Sequence, residues 1–247
     1  MPDSICEELT WDSSFFGLRV ARLKPSRLTA GDLSEALQWC TLHEINCLYF
    51  LADPDHRETA RLAEDAGFQL VDIRVTLTHS AGSDEDGETP DQRIRLFRDS
   101  DLEPLKAIAR VSHRDSRFFF DESFRKERAE ALYETWIERS CGGWASAVFV
   151  AELNGLACGY CSCHLDDGAG RIGLIALAPH AQGQSLGSHL VAAAMSYFRK
   201  QGIAKVSVAT QGRNVRAQRL YQHCGFATDS MMLWYHKWFR KPAGSGR

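Results

Sequence analysis

Apolar residues follow two rhythms along this chain, and the switches between them mark out its elements. Nearly unbroken apolar runs at 47–52 (Cys-Leu-Tyr-Phe-Leu-Ala) and 171–177 (Arg-Ile-Gly-Leu-Ile-Ala-Leu) predict buried strands. Residues 32–43 place Leu33, Leu37 and Cys40 on one helical stripe, and 123–140 do the same with Leu132, Tyr133, Trp136 and Ile137. Asn154-Gly155, between apolar runs at 147–153 and 157–165, predicts a hairpin. Ser100 or Asp101 can cap a helix that reaches Val111 or His113, with Pro104 early enough to be tolerated. Further strands are expected at 70–77, 93–97, 205–209 and 227–236, and further helices at 55–66 and from Gln182-Gly183 to about Arg199.

One order of elements occurs twice. Strand 47–52, a helix, Gly67-Phe68 and strand 70–77 repeat strand 205–209, a helix, Gly225-Phe226 and strand 227–236. Fifteen positions separate Ala52 from Gly67, as fifteen separate Thr210 from Gly225, and Leu62 falls where Leu220 falls. In that register Ala63 stands for Tyr221 and His56 for Asn214, so the first copy keeps packing residues and lacks those capable of chemistry. Residues 1–79, with an aromatic segment at 11–20, are therefore expected to form a degenerate half-copy that extends the sheet. Residues 80–92, with five acids among Gly, Ser, Thr and Pro, read as a linker, 93–241 as the catalytic domain and 242–247 as a fraying tail.

With 247 residues and 44% hydrophobic content the chain can bury a substantial core. Lys+Arg 29 against Asp+Glu 32 leaves a net charge of −3, so no global field favours nucleic acid or an anionic membrane. An anionic substrate must then be met by a local basic cluster. The first twenty residues carry Asp3, Glu7, Glu8 and Asp12 and no apolar core, and no run reaches the length of a membrane span, so a cytoplasmic protein is expected. Eight cysteines in such a chain are expected to be reduced and packed as small apolar residues. Within Cys158-Gly-Tyr-Cys161-Ser-Cys163-His164, a strand puts Cys161 and Cys163 on one face and Cys158 and His164 on the other, a split that suits zinc poorly; no metal is expected.

Chemistry concentrates where strand 171–177 ends at Pro179 and Gln182-Gly183-Gln184-Ser185-Leu186-Gly187 opens a long helix. The first N–H groups of a helix have no partner within it and the helix dipole is positive there, so this join can hold a pyrophosphate. Gln182 and Gly187 match the Q/R-x-x-G-x-G/A acyl-coenzyme A loop of the GCN5-related N-acetyltransferase (GNAT) family, with Ser185 in its first glycine position. Asn214-x-x-Ala217-x-x-Leu220-Tyr221-x-x-Cys224-Gly225-Phe226 matches that family's second motif. Two linked motifs at the family's separation are far more specific than either alone, and the chain resembles this family.

The resemblance implies an α/β (α+β) fold, a mixed, mostly antiparallel twisted sheet flanked by helices. It implies acetyl-CoA as cosubstrate, lying along Ile175, Ala176 and Leu177, over Gln182, Gly183, Gln184, Ser185, Leu186, Gly187 and Ser188, and against Asn214, Ala217 and Tyr221. Within the family the chain is most similar to N-acetyltransferases of nucleotide-activated amino sugars, of the dTDP-4-amino-4,6-dideoxyhexose type that serves polysaccharide synthesis. Leu9-Thr10-Trp11-Asp12 with Phe15-Phe16-Gly17, Gly67-Phe68-x-Leu70-Val71-Asp72, Ser116-Arg117-Phe118, Tyr133-x-x-Trp136-Ile137, Arg171-Ile172-Gly173-Leu174 and Val208-Ala209-Thr210-Gln211 carry that likeness.

In that setting Tyr221, a phenol with a reference pKa near ~10, is the expected general acid for the departing thiolate. Asp72 is the expected acceptor of the amine's proton through water, against the plainer reading of a solvated strand-end carboxylate. Arg110, Arg114 and Arg117 recur at i, i+4 and i+7, so a continuing helix places them on one face, either facing a diphosphate or simply solvated. Arg117, Arg114 and Phe118 are the expected substrate contacts. Acetylation of another amine (a peptide N-terminus, an antibiotic, a small metabolite) and a non-catalytic acyl-coenzyme A binding module are the alternatives. Retention of Tyr221 speaks against the second and Ser185 for it. Whether subunits pair into a homodimer is left open.

Overall fold

A computed structural model describes residues 4–80 and 91–239; residues 81–90 of the expected linker and the expected tail lie outside the described residues. The first part of the chain forms β1 (Cys6–Glu8), α1 (Thr10–Phe16), β2 (Val20–Leu23), α2 (Ala30–Leu42), β3 (Cys47–Ala52), α3 (Arg57–Asp65) and β4 (Gln69–Ser80). The second forms β5 (Ile94–Leu96), α4 (Leu102–Val111), α5 (Arg117–Phe120), α6 (Lys126–Arg139), β6 (Ala147–Leu153), β7 (Leu156–Asp166), β8 (Ala169–Leu177), α7 (Leu186–Lys200), β9 (Lys205–Gln211), α8 (Val215–His223) and β10 (Ala227–Trp238). The described strands join into one mostly antiparallel sheet in the order β1-β2-β3-β10-β4-β9-β8-β7-β6-β5. Among the described residues no helix is long and apolar enough to cross a membrane.

Helices cover both faces of this sheet, which is why β7 is buried without a break from Cys158 to His164. Tyr160 faces the α4–α6 layer, where its hydroxyl lies 2.9 Å from His113 Nε2. The next residue, Cys161, faces the other way and neighbours Tyr221 of α8. On that second face α7 packs so closely that a Cβ on Gly170 would meet the Phe198 ring at 2.7 Å.

The repeat seen in the sequence is present in space, but with its strands exchanged. Gly225 lies 158 positions after Gly67, and Phe226 the same distance after Phe68. Applied to the strand registers, that offset turns Val75↔Thr210 into Leu233↔Ala52, Leu77↔Val208 into Tyr235↔Phe50, and Ala227↔Thr78 into Gln69↔His236; the structure contains all six pairs. Each copy thus sends its last strand to pair with the other copy's first. Packing follows the exchange: Val75 and Leu77 enter the larger core around α4, α6 and α7, while Leu233 and Tyr235 pack with Phe50, Phe68 and Ala63 in the smaller one. Burial of these aliphatic and aromatic side chains fixes the register, because a one-residue slip would turn each strand's inward residues to the opposite face.

The N-terminal region therefore extends the sheet through β1–β3, but its β4 lies inside, between β10 and β9. Periodicity over 6–23 did not reveal β1, α1 or β2. These elements are too short to show a period, and Gly17, at φ 66°, ends α1 after two turns.

Candidate active site

The sheet opens beside β8. β8 and β9 run parallel and pair at Gly170↔Val206, Arg171↔Ser207 and Ile172↔Val208, and diverge beyond. A bulge starts the divergence: the register of β7 and β8 shifts between Cys161 and Cys163, and Leu174 N–H donates to Ser162 Oγ at 2.8 Å. Past the bulge Ala178 N–H donates to Cys158 O. By the alternation of an antiparallel ladder, Ala176 spends its main chain on β7 as well, whereas Ile175 and Leu177 turn theirs into the gap. Of the three positions expected along the coenzyme path, Ala176 thus turns its main-chain groups to β7, since a period of two cannot present three successive residues to one side.

At the end of β8, Gln182 Nε2 donates to Leu177 O at 3.2 Å and Gln184 Nε2 to His180 O at 3.0 Å, which ties down the loop before α7. No side chain caps α7, so the N–H groups of Leu186, Gly187 and Ser188 are left for an external acceptor. Gly187 lets α7 and α8 approach closely: a Cβ there would meet the Leu220 side chain of α8 at 3.3 Å, which must shift slightly to admit it. Ser185 stands at φ 59°, left-handed backbone that costs a residue with a Cβ ~1 kcal/mol. Serine in the motif's first glycine position is therefore strained. Asn214 Oδ1 accepts from Ala217 N–H at 3.0 Å and caps α8, so these two expected coenzyme contacts spend those atoms on each other. Tyr221 is buried on α8, its ring 5.9 Å from that of Phe226, and burial pushes its phenol well above the usual range, with Cys161 and Cys224 adding to the rise.

Across the sheet, under α5 and α6, lies a cavity of about 180 Å³ whose walls include Asp72, Arg74, Arg117, Phe118, Trp136 and Trp234. It unites three of the expected residues, Asp72, Arg117 and Phe118, and its lining does not include Tyr221, Asn214 or the 182–188 loop. Asp72 is 5% exposed and lies within β4, opposite Trp234, so the solvated strand-end reading does not hold. Burial pushes its carboxyl up to about 6, against the pull of Arg213, the Ile73 amide and Arg117, with Asp115 reinforcing the rise. The Ile73 N–H donates to Oδ1 at 2.8 Å.

Arg117 rests in an aromatic box, its guanidinium 4.2 Å from the Trp234 ring, 4.3 Å from Phe118 and 4.9 Å from Tyr49. Phe118 is buried and serves as a floor for that cation. The shared arginine face does not exist. α4 stops at Val111, His113 takes φ 57° and Ser116 is extended, so the chain turns before α5. Arg110 and Arg114 bind Glu134 and Glu130 of α6, each with an Nη2–carboxylate contact of 2.9 or 2.8 Å, and Arg114 stacks on Phe119. Arg114 thus belongs to a clamp between helices, and Arg117 alone of the three reaches the cavity.

Sequence reasoning missed Arg74. It stands two residues after Asp72 on the same face of β4, and the signal available was a pair of charges at strand spacing inside an otherwise apolar run.

Residues 109–226 match the family model described as Acetyltransferase (GNAT) family. The spore coat polysaccharide biosynthesis protein SpsD of Bacillus subtilis (strain 168) is 32% identical over 143 residues, 58% of this chain and 50% of that protein. A mycothiol acetyltransferase of Beutenbergia cavernae is 29% identical over 206 residues, 76% of this chain and 66% of the relative. The match thus spans half to two thirds of these two proteins. A dTDP-fucosamine acetyltransferase of Escherichia coli O6:H1 is 24% identical over 235 residues, 94% of this chain and 97% of that one. Among solved structures, a GCN5-related N-acetyltransferase from Sphaerobacter thermophilus superposes with a TM-score of 0.66 at 16% identity, covering 95% of this chain and 76% of that one.

Proposed function

We propose that this chain, which belongs to the acetyltransferase (GNAT) family through residues 109–226, acetylates the amine of a nucleotide-activated amino sugar, of the dTDP-4-amino-4,6-dideoxyhexose type, from acetyl-CoA in the cytoplasm. The observation that carries this reading is the division of labour across the opening beside β8. One face offers an uncapped helix N-terminus and a buried phenol, and the other a raised carboxyl beside a guanidinium and two indoles.

Acetyl-CoA supplies an activated acetyl group and leaves as a thiol. The N–H groups of Leu186, Gly187 and Ser188 suit its pyrophosphate. Ile175 and Leu177, whose main chains face the gap, offer N–H donors for negative charge on the carbonyl oxygen during attack. Asp72, at about 6, is mostly ionised at pH 7 and can take a proton from the attacking amine, directly or through one water. Tyr221 keeps its proton at every physiological pH and gives it up only as charge builds on the sulfur when the C–S bond breaks. One proton leaves nitrogen and one reaches sulfur, so the exchange balances. The full-length relative named for dTDP-fucosamine and the one named for polysaccharide biosynthesis support a sugar acceptor.

The test is thiol release from acetyl-CoA with a panel of amino-sugar nucleotides, free amino sugars and peptide amines. Turnover confined to the nucleotides supports the reading. Turnover confined to peptides or free sugars overturns the acceptor, and coenzyme-induced stabilisation without turnover on any amine leaves a binding module.

A further inference from the structure

Around the α4–α6 layer and β5, several arginines are paired. Arg95 binds Asp101 and Glu152, Arg93 binds Asp91, Arg110 binds Glu134 and Arg114 binds Glu130. Arg74 and Arg117 differ. Both line the same cavity, both are half-buried, and the Nε of each is buried without a hydrogen-bond partner. Asp12 and Asp72 lie near enough to feel the charge of Arg117, yet neither stands within ion-pair distance of either guanidinium among the described residues. Arg213, the other cation near Asp72, is engaged elsewhere, its Nη2 donating to Val71 O at 2.7 Å and its guanidinium 3.9 Å from the Phe120 ring.

Two guanidinium groups turned toward one small cavity repel each other and lose hydration, and Arg74 is held below its ordinary value by burial first and by Arg117 and Arg171 next. A buried charge is tolerated when a counter-charge and hydrogen bonds meet it. Among the described residues the only carboxyl lining the cavity is that of Asp72, and it stands within ion-pair distance of neither guanidinium. A dianion presenting several oxygens to two planar donor forks satisfies both arginines. Trp136, Trp234 and Phe118 wall the same space and suit the faces of a sugar ring or a base.

We propose that Arg74 and Arg117 together form an anion subsite in the acceptor half of the cleft, built for the diphosphate of a nucleotide-linked acceptor, with Arg74 as a specificity-determining residue. This rests on reading the Asp72 cavity as the acceptor site. Arg74 comes from β4, the strand donated by the N-terminal copy, and Arg117 from α5, so the two parts of the chain build the subsite jointly.

The experiment is calorimetric titration of thymidine diphosphate, thymidine and inorganic pyrophosphate. Saturating coenzyme A is present so that the 182–188 loop is already filled. Loss of one charge-assisted partner predicts that Arg74→Ala weakens both diphosphates by roughly 10- to 100-fold and leaves thymidine within about twofold. Arg74→Lys should recover part of the loss. Arg74→Met, which removes the charge and keeps most of the volume, should match alanine in affinity and melt no lower than the parent, which separates lost recognition from lost folding. Absence of pyrophosphate binding to the parent protein, or equal losses for thymidine and its diphosphate, overturns the subsite. Pyrophosphate binding that depends on Arg74, together with thiol release on unphosphorylated amines alone, keeps the subsite and discards the sugar-nucleotide acceptor.

Discussion

The two copies run through the same order, β2-α2-β3-α3-β4 and β8-α7-β9-α8-β10, and each begins with two parallel strands paired over only three residues. They differ at the N-terminus of the first helix. In the first copy Thr29 caps α2: its Oγ1 accepts from Asp32 N–H at 3.2 Å, and Asp32 Oδ2 accepts from Thr29 N–H at 2.8 Å. The Thr29 N–H, and the Thr29 hydroxyl that also donates to Oδ2 at 2.8 Å, hold the Asp32 carboxyl below its usual range, so an anion already occupies the place where a phosphate would bind. The second copy has Ser185 in left-handed backbone, no cap and no acid in the first turn of α7. The same divergence appears further on, where Ala63 packs in the smaller core at the position that Tyr221 holds in the larger. One copy has satisfied its own polar ends and become scaffold, and the other has left them for a ligand. What the scaffold returns to the site is β4, which carries Asp72 and Arg74 to the cavity.

The contrast breaks most severely at Tyr221. Tyr221→Phe should leave stability and coenzyme affinity nearly unchanged while turnover falls by roughly 10²- to 10⁴-fold, as for a lost general acid. Turnover within about twofold of the parent across the pH range would return Tyr221 to the packing role that Ala63 has. Gly187→Leu should close the open copy. A side chain driven into Leu220 displaces the start of α7, and the rise in melting temperature caused by acetyl-CoA should vanish; a preserved rise would place the pyrophosphate elsewhere.

Asp72→Asn tests what the scaffold strand contributes, through both activity and stability. In the parent, kcat/KM should rise with an apparent pKa near 6 and level off above it, and the variant should be slow and flat. The folded-state value exceeds the ordinary aspartate value of 3.8, so the favourable contribution of this carboxyl is complete below 3.8 and is lost as pH rises through about 6. Asparagine stays neutral, so above pH 6 the variant should be the more stable protein, by up to about 3 kcal/mol for a shift of two units. A variant less stable than the parent at pH 8 would show that the carboxylate is well paired.

Smaller effects are expected at the two helix starts. Thr29→Ala should cost ~1 kcal/mol of stability in denaturant titration and leave coenzyme affinity alone. Ser185→Gly relieves ~1 kcal/mol of left-handed strain and returns ~0.4–1 kcal/mol to the unfolded chain, so stability should change by less than about 1 kcal/mol. A tenfold tightening of coenzyme binding in that variant would mean that the serine side chain obstructs the loop.

Much of this was legible in the residues. The strand at 47–52, the hairpin at Asn154-Gly155, the helix with Leu132, Tyr133 and Ile137 buried, and the repeat around the two Gly-Phe pairs follow from periods and spacings that hold whatever the surroundings. Gly67 and Gly225 take φ 80° and 83°, as two residues at one position of a repeated turn should. The helix after Pro179 was legible too, but its start was not: it was expected from Gln182-Gly183, and α7 begins only at Leu186, after a turn held by the Gln182 and Gln184 side chains.

Other features were set by contacts between distant segments. Periodicity gave Arg110, Arg114 and Arg117 one face, and the turn at His113 together with Glu130 and Glu134 of another helix undid it. Strand alternation put Asp72 and Arg74 on one side of β4, but nothing in the run 69–80 says that this strand lies between β10 and β9 rather than at an edge. Sequence determined which backbone groups each segment must satisfy and which of its faces is apolar, because those are properties of neighbours along the chain. Tertiary structure decided which partner satisfies them, because strand exchange leaves every local period unchanged while moving a carboxyl and a guanidinium out of water, where burial raises the first to about 6 and leaves the Nε of the second without a hydrogen-bond partner.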